Sequence, residues 1–77
     1  MFYVYIIHIL ATKTLYIGST NDLRRRLTEH AKRKGDCELI YYEAYKNEGD
    51  ARRREQNLKY FGKAYGQLKG RIRDSLA

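Results

Sequence analysis

One segment near the N-terminus constrains the fold more than any other part of this chain. The run from Phe2 to Leu10 is rich in β-branched and aromatic residues, with no helix cap and no clear alternation of polar and apolar positions. A run that is apolar on both faces is typical of a central strand that is covered on each side. It is far too short to span a bilayer, so no membrane partner is expected. We predict that the rest of the chain packs around this strand.

Length and charge limit the class of protein. A chain of 77 residues has room for one domain, which is assigned to residues 1–77. The lone Cys37 rules out an intramolecular disulfide, and no Cys or His pairs have the spacing of zinc ligands. The 16 Lys and Arg outnumber the 9 Asp and Glu, which favours a polyanionic partner, with a merely solvated basic surface as the alternative. No signal peptide is visible, and a cytoplasmic location is expected.

The second strand is expected from Leu15 to Ser19, so that the first two strands form a hairpin. If a loop of two or four residues is centred on Thr12-Lys13, Ile9 pairs with Tyr16. Tyr5 and Tyr16 then share one face, because side chains alternate along a strand. A loop of three residues would put the two tyrosines on opposite faces. The sequence leaves both registers open.

The remaining elements follow from capping residues and periodicity. A third strand should carry Leu39, Tyr41 and Tyr45 on one face. The elements are a helix from Asp22 to Lys34 with Thr20 or Asn21 as its N-cap and Gly35 as its stop, a strand from Glu38 to Tyr45, a helix from Glu48 to Phe61, and, after Gly62 and Gly66, a weak helical pattern from Gln67 to Leu76.

Three polar residues are expected on inward helix faces. At about 100° per residue, Leu23 defines the apolar stripe of the first helix, and Arg26 and His30 lie one turn apart at its edge. Arg25 points to the solvent side. In the second helix Glu55 is the inward acid, and a core-facing carboxylate carries a desolvation cost unless something uses it.

Tyrosine, arginine, histidine and glutamate side chains can together hydrolyse a phosphodiester bond. The sequence contains no nucleotide-binding loop, no catalytic serine or cysteine triad and no cluster of carboxylates that could hold two metals. A carboxylate can hold one Mg²⁺ or Mn²⁺, a guanidinium can bind phosphate oxygens, and a tyrosine or histidine can relay a proton from water. Each candidate also has a structural alternative as a core aromatic, a solvated arginine, a core histidine or an ion-paired glutamate. The candidates are Tyr5, Tyr16, Arg26, His30 and Glu55.

Several segments together resemble the GIY-YIG nuclease superfamily, in particular its small single-domain bacterial branch. Tyr3-Val4-Tyr5 stands at the G-I-Y position, and Leu15–Ser19 contains Y-I-G. Asn21–His30 is similar to the helix that follows in the family, Leu39–Glu43 to its central strand, and Ala51–Lys59 to its glutamate-bearing helix. A lone Y-I-G would be weak evidence of kinship, but these elements in this order and spacing are specific.

The resemblance implies an α+β fold in which helices flank a three-stranded antiparallel sheet, in the order β-β-α-β-α-α. It also implies divalent-metal-dependent cleavage of DNA, as in homing endonucleases and excision-repair incision subunits. Applied residue by residue, the resemblance implies that Tyr16 is the general base and that Tyr5 is the neighbour that holds the water. Arg26 binds the phosphate, His30 takes the proton-relay position, and Glu55 is the metal ligand.

DNA contacts are expected from a second group of residues around the site. There is no room for a separate DNA-binding domain, so specificity must come from substrate shape (branched, nicked or damaged DNA), a homodimer or a partner protein. Ser19 replaces a lysine found in some members, and the asparagine that often follows the glutamate helix is missing. A catalytically weak nucleic-acid-binding module and a protein-interaction adaptor are therefore kept as alternatives. The expected contacts are Gly18, Ser19, Arg24, Arg25 and Lys59.

Overall fold

The protein is an α+β fold built on one three-stranded antiparallel sheet, in agreement with the predicted class. The computed structural model describes all residues from Met1 to Ala77. In the sheet the first strand of the chain lies between the second and the third, so it is central as predicted. The elements are β1 (Phe2–Ile9), β2 (Thr14–Thr20), α1 (Leu23–Lys34), β3 (Cys37–Tyr45), α2 (Glu48–Tyr60), α3 (Gly62–Arg71) and the short α4 (Arg73–Leu76).

Both faces of the sheet are covered, which explains why β1 shows no polar alternation. On one face, the buried residues Tyr5 and Ile7 pack against the apolar stripe of α1. On the other face, Val4 and Ile6 form a cluster with residues of α2 and α3. The fully or nearly fully buried members of that second cluster are Val4, Ile6, Ala51, Leu58 and Leu68.

The predicted hairpin pairing is wrong by two residues. Ile7, rather than Ile9, lies opposite Tyr16 in the ladder. The loop is centred one residue earlier than expected, because the four residues Leu10–Lys13 connect Ile9 to Thr14. An even shift keeps every side chain on its face, so Tyr5 and Tyr16 share a face as expected.

A bulge in the β1–β3 pairing overturns the prediction that Leu39 shares a face with Tyr41 and Tyr45. Ile6 pairs with Tyr41 but Ile7 pairs with Leu39, so that Ile40 is an extra residue on β3. The extra residue reverses the alternation, and Leu39 packs on the α1 face. Tyr41 packs on the α2 face.

The N-cap of α1 is Asp22, not Thr20 or Asn21. Its Oδ1 accepts the backbone N–H of Arg25 at 3.1 Å. At the other end Gly35 adopts φ 79°, a left-handed conformation that glycine tolerates and that stops the helix as predicted. None of the four helices has the length and the apolar character that a membrane-spanning segment needs.

The C-terminal helix begins earlier than predicted. Gly62 and Gly66 lie within α3 rather than between helices. Each glycine in a helix costs about 1 kcal/mol relative to alanine. Here the buried Leu68, packed against the α2 face of the sheet, offsets that cost.

Candidate active site

The five predicted catalytic residues converge around the edge strand β2. Tyr5 and Tyr16 come from neighbouring strands on the α1 face, with ring centroids 6.3 Å apart. His30 of α1 lies over both rings, and its centroid is 4.8 Å from that of Tyr16. Arg26 of α1 lies near both tyrosines. Glu55 of α2, on the opposite face of the sheet, contacts Ser19 of β2.

A buried hydrogen bond joins Tyr5 to His30. Tyr5 is 0% exposed and His30 3% exposed, and the distance from Tyr5 Oη to His30 Nε2 is 2.7 Å. Burial raises the pKa of Tyr5, and Arg26 opposes part of this rise. Burial also lowers the pKa of His30, helped by the nearby charge of Arg26. At neutral pH both groups are therefore uncharged, and the Tyr5 hydroxyl donates to Nε2, which leaves the ring proton on Nδ1.

Gly18 provides the space in which the two tyrosines meet. A Cβ at this position would lie 2.5 Å from Tyr5 Oη and 2.9 Å from Tyr16 Cε1. Any side chain would thus displace the rings. Gly18 itself is buried, so its contribution to the site is the room it leaves.

Arg26 is the arginine of the triple run that faces the tyrosines. Its Nη1 donates to Glu29 Oε2 at 2.9 Å, and its side chain is 33% exposed. The hydrogen bond to Glu29 raises the pKa of Arg26, and the nearby Tyr5 hydroxyl adds to the rise. Arg24 and Arg25 lie exposed on α1. Glu29 is not among the residues that the sequence suggested for the site, yet it orients Arg26, and the i, i+3 spacing is the signal of such a pair.

Glu55 is a part-buried carboxylate with both oxygens engaged. Ser19 Oγ donates to Oε1 at 2.9 Å, and Lys59 Nζ lies 3.0 Å from Oε2. The Glu55 side chain is 19% exposed. Two of the expected DNA-contacting residues, Ser19 and Lys59, therefore hold the expected metal ligand.

Glu55 could hold a metal ion only as a single protein carboxylate. No group of three or more His, Cys, Asp or Glu side chains is placed to hold a metal ion. Mg²⁺ commonly keeps several waters and is bound by one or two carboxylates together with substrate phosphates. Glu55 can supply that one carboxylate, provided that Lys59 gives up its contact with Oε2.

A second network joins α2 to β3 at Arg54, the residue before Glu55. The guanidinium of Arg54 contacts both oxygens of Glu43 on β3, with Nε to Oε1 at 3.0 Å. Tyr41 and Tyr45 donate to the same carboxylate. Burial alone would raise the pKa of Glu43, but these donors lower it, and burial with the same bonds raises the pKa of both tyrosines to about 12.

Lys34 is a site residue that sequence reasoning missed. Its Nζ lies 3.9 Å from the centroid of the Tyr16 ring. Arg26, His30 and Lys34 follow one another at intervals of four residues, so they lie along one face of α1. That continued spacing is the signal that could have found it.

Comparison with known proteins identifies the family. The model of the GIY-YIG catalytic domain matches residues 1–69 of this chain. Neither a curated protein nor a solved structure matches significantly. The family match covers β1, β2, both helices of the site and most of α3. The chain therefore belongs to the GIY-YIG family, and its recognition from the sequence is confirmed.

Proposed function

We propose that this protein is a divalent-metal-dependent endonuclease that hydrolyses DNA phosphodiester bonds. Membership of a nuclease family supports the reaction class. The observation that carries the proposal is the convergence of Tyr5, Tyr16, Arg26, His30 and Glu55 around β2.

Tyr16 is the proton acceptor in this proposal. Its side chain is partly exposed, whereas the Tyr5 hydroxyl is buried and already donates to His30. Tyr16, acting as the phenolate, takes a proton from water at Oη while the water oxygen bonds to phosphorus. The bond from phosphorus to the leaving sugar oxygen breaks, and solvent protonates that oxygen. Tyr5 and His30 keep the Tyr16 ring in position; this replaces the expected role of Tyr5 in holding water.

Arg26 binds the scissile phosphate. One arm of its guanidinium contacts Glu29, which leaves other N–H groups for phosphate oxygens. Because arginine stays protonated throughout, it can stabilise the charge that develops on those oxygens.

Glu55 holds the metal in this proposal, with Ser19 fixing its carboxylate. Mg²⁺ or Mn²⁺ bound there would neutralise charge on the phosphate and the leaving oxygen. The Lys59 ammonium, released from Oε2, remains near the Tyr16 ring and is free to contact DNA.

The formal charge of +7 supports DNA as the partner, with Arg24 and Arg25 as exposed phosphate contacts. Selectivity for branched, nicked or damaged DNA, dimerisation or a partner protein, and cytoplasmic location are parts of the same proposal. A role in DNA repair would follow from such substrates.

A cleavage assay tests the proposal. Plasmid and branched DNA are incubated with the protein, with and without Mg²⁺ or Mn²⁺. Metal-dependent nicking should be lost in Glu55→Gln, Arg26→Gln and Tyr16→Phe. Glu48→Gln is the matched control, because Glu48 is an exposed acid of the same helix paired only with Arg52.

The outcomes separate the candidate functions. Nicking that survives in Glu55→Gln would refute the site assignment. Salt-dependent DNA binding without cleavage under either metal would instead favour the catalytically weak binding module.

A further inference from the structure

One lysine of the site has no part in the function proposed above. Lys34, the last residue of α1, lies with its Nζ 3.9 Å from the centroid of the Tyr16 ring. It is half-buried. None of the six ion pairs in the protein includes it.

Attraction to the helix dipole does not account for this position. The last turn of α1 contains Lys32, Arg33 and Lys34, and positive charge there is favourable. Lys32 and Arg33 are exposed and need no fixed conformation for that purpose. Of the three residues in this turn, only Lys34 lies over an aromatic ring, and holding it there costs rotamer entropy.

We propose that Lys34 is a positioning residue that supports Tyr16 as the proton acceptor, an inference that rests on the proposed nuclease function. A cation over an aromatic ring is attracted by the ring electrons. The attraction increases when the ring carries the negative charge of a phenolate. Lys34 thus holds the Tyr16 ring where its Oη can take a proton from water.

The other charged groups around Tyr16 are less suited to this role. Lys59 Nζ is farther away, at 5.9 Å from the ring centroid, and Glu55 compensates its charge at 3.0 Å. Arg26 is compensated in the same way by Glu29. Lys34 is therefore the cation at the Tyr16 ring that no carboxylate neutralises.

The test uses variants that separate charge from packing. Lys34→Met keeps an aliphatic stem without charge, Lys34→Arg keeps the charge, and Lys32→Met is the matched control on the same turn. Steady-state cleavage of plasmid DNA with Mn²⁺ should show a kcat about tenfold lower in Lys34→Met, with KM unchanged. Lys34→Arg should recover most of the rate, and Lys32→Met should match the unmodified protein.

A spectroscopic measurement tests the contact without cleavage. In NMR spectra the ε-methylene protons of Lys34 should be shifted upfield by the ring current of Tyr16, relative to those of Lys32. Tyr16→Leu should abolish that shift. An unshifted signal in the unmodified protein overturns the proposal directly.

The kinetic outcomes distinguish two failures. A Lys34→Met protein with unchanged kcat, or with only a raised KM, overturns the role of Lys34 and leaves the nuclease function intact. Unmodified protein that does not cleave under any metal refutes the nuclease function and the role of Lys34 together.

Discussion

Replacing Gly18 by alanine tests the packing on which the two tyrosines depend. The new Cβ would lie 2.5 Å from Tyr5 Oη, 2.6 Å from Tyr5 Cζ and 2.9 Å from Tyr16 Cε1. Carbon atoms attract one another at about 3.5–4.0 Å and repel strongly when closer. Both rings would therefore have to move by about 1 Å, and neither is a flexible side chain with an easy alternative.

The expected cost has two parts. Overpacking of a well-filled core costs about 1–3 kcal/mol. Movement of Tyr5 also weakens its 2.7 Å hydrogen bond to the buried His30, which adds about 1 kcal/mol. A total of about 2–4 kcal/mol should lower the Tm of a domain of this size by about 8 °C or more.

Thermal and urea unfolding followed by circular dichroism measure this loss. Gly66→Ala is the matched control, because it lies in α3 and its Cβ would meet nothing within 4 Å. That variant should be more stable by about 0.5–1 kcal/mol, since alanine is the better helix former. If the free energy of unfolding of Gly18→Ala falls within about 0.5 kcal/mol of that of the unmodified protein, the packing argument is wrong.

Three further perturbations test other parts of the structure. Burial and nearby positive charge lower the pKa of His30 in the folded protein, so below about pH 6.5 the unfolded chain binds more protons than the folded one and the free energy of unfolding falls as the pH drops towards 5. In urea titrations at several pH values, His30→Gln should make the free energy of unfolding less dependent on pH. An unchanged pH dependence in this variant would contradict the argument. Arg54→Leu should cost about 3 kcal/mol of unfolding free energy, because the part-buried Glu43 loses its only cation and keeps only two tyrosine hydroxyls as donors. Arg53→Leu, whose ion pair is exposed, should change the free energy of unfolding by less than about 0.5 kcal/mol, and equal losses would refute the distinction. Lys59→Gln removes the cation 3.0 Å from Glu55 Oε2, so calorimetry should find about tenfold tighter Mn²⁺ binding, and unchanged affinity would argue against Glu55 as the ligand.

The elements that the sequence predicted well are those with a strong local signal. The apolar run of β1 and the 3.6-residue periodicity of α1 depend on neighbouring residues alone, and both were found within a residue or two. The N-cap was missed for a related reason. Thr20, Asn21 and Asp22 are three consecutive good caps, and only the course of the backbone decides that Asp22 accepts the N–H of Arg25.

The features that the sequence could not predict depend on contacts between distant segments. The bulge at Ile40 arises where β3 pairs with β1, and nothing in the local pattern of β3 marks it. The glycines of α3 argue against a helix locally, yet Leu68 finds a place in the core. The position of Lys34 over Tyr16 likewise requires α1 to lie across the sheet.

The error in the hairpin register did not affect the prediction of the candidate site, because side chains alternate between the two faces of a strand. The true register differs from the predicted one by two residues, so Tyr5 and Tyr16 stay on the α1 face. A difference of one residue would have sent Tyr16 to the α2 face, away from His30. The sequence therefore predicts the face on which a strand residue lies more reliably than its partner on the neighbouring strand. Gly18 shows why the partner also matters. Because Gly18 lies directly opposite Tyr5, the space it leaves holds the Tyr5 hydroxyl as well as the Tyr16 ring, so this glycine helps to set the distance between the two tyrosines.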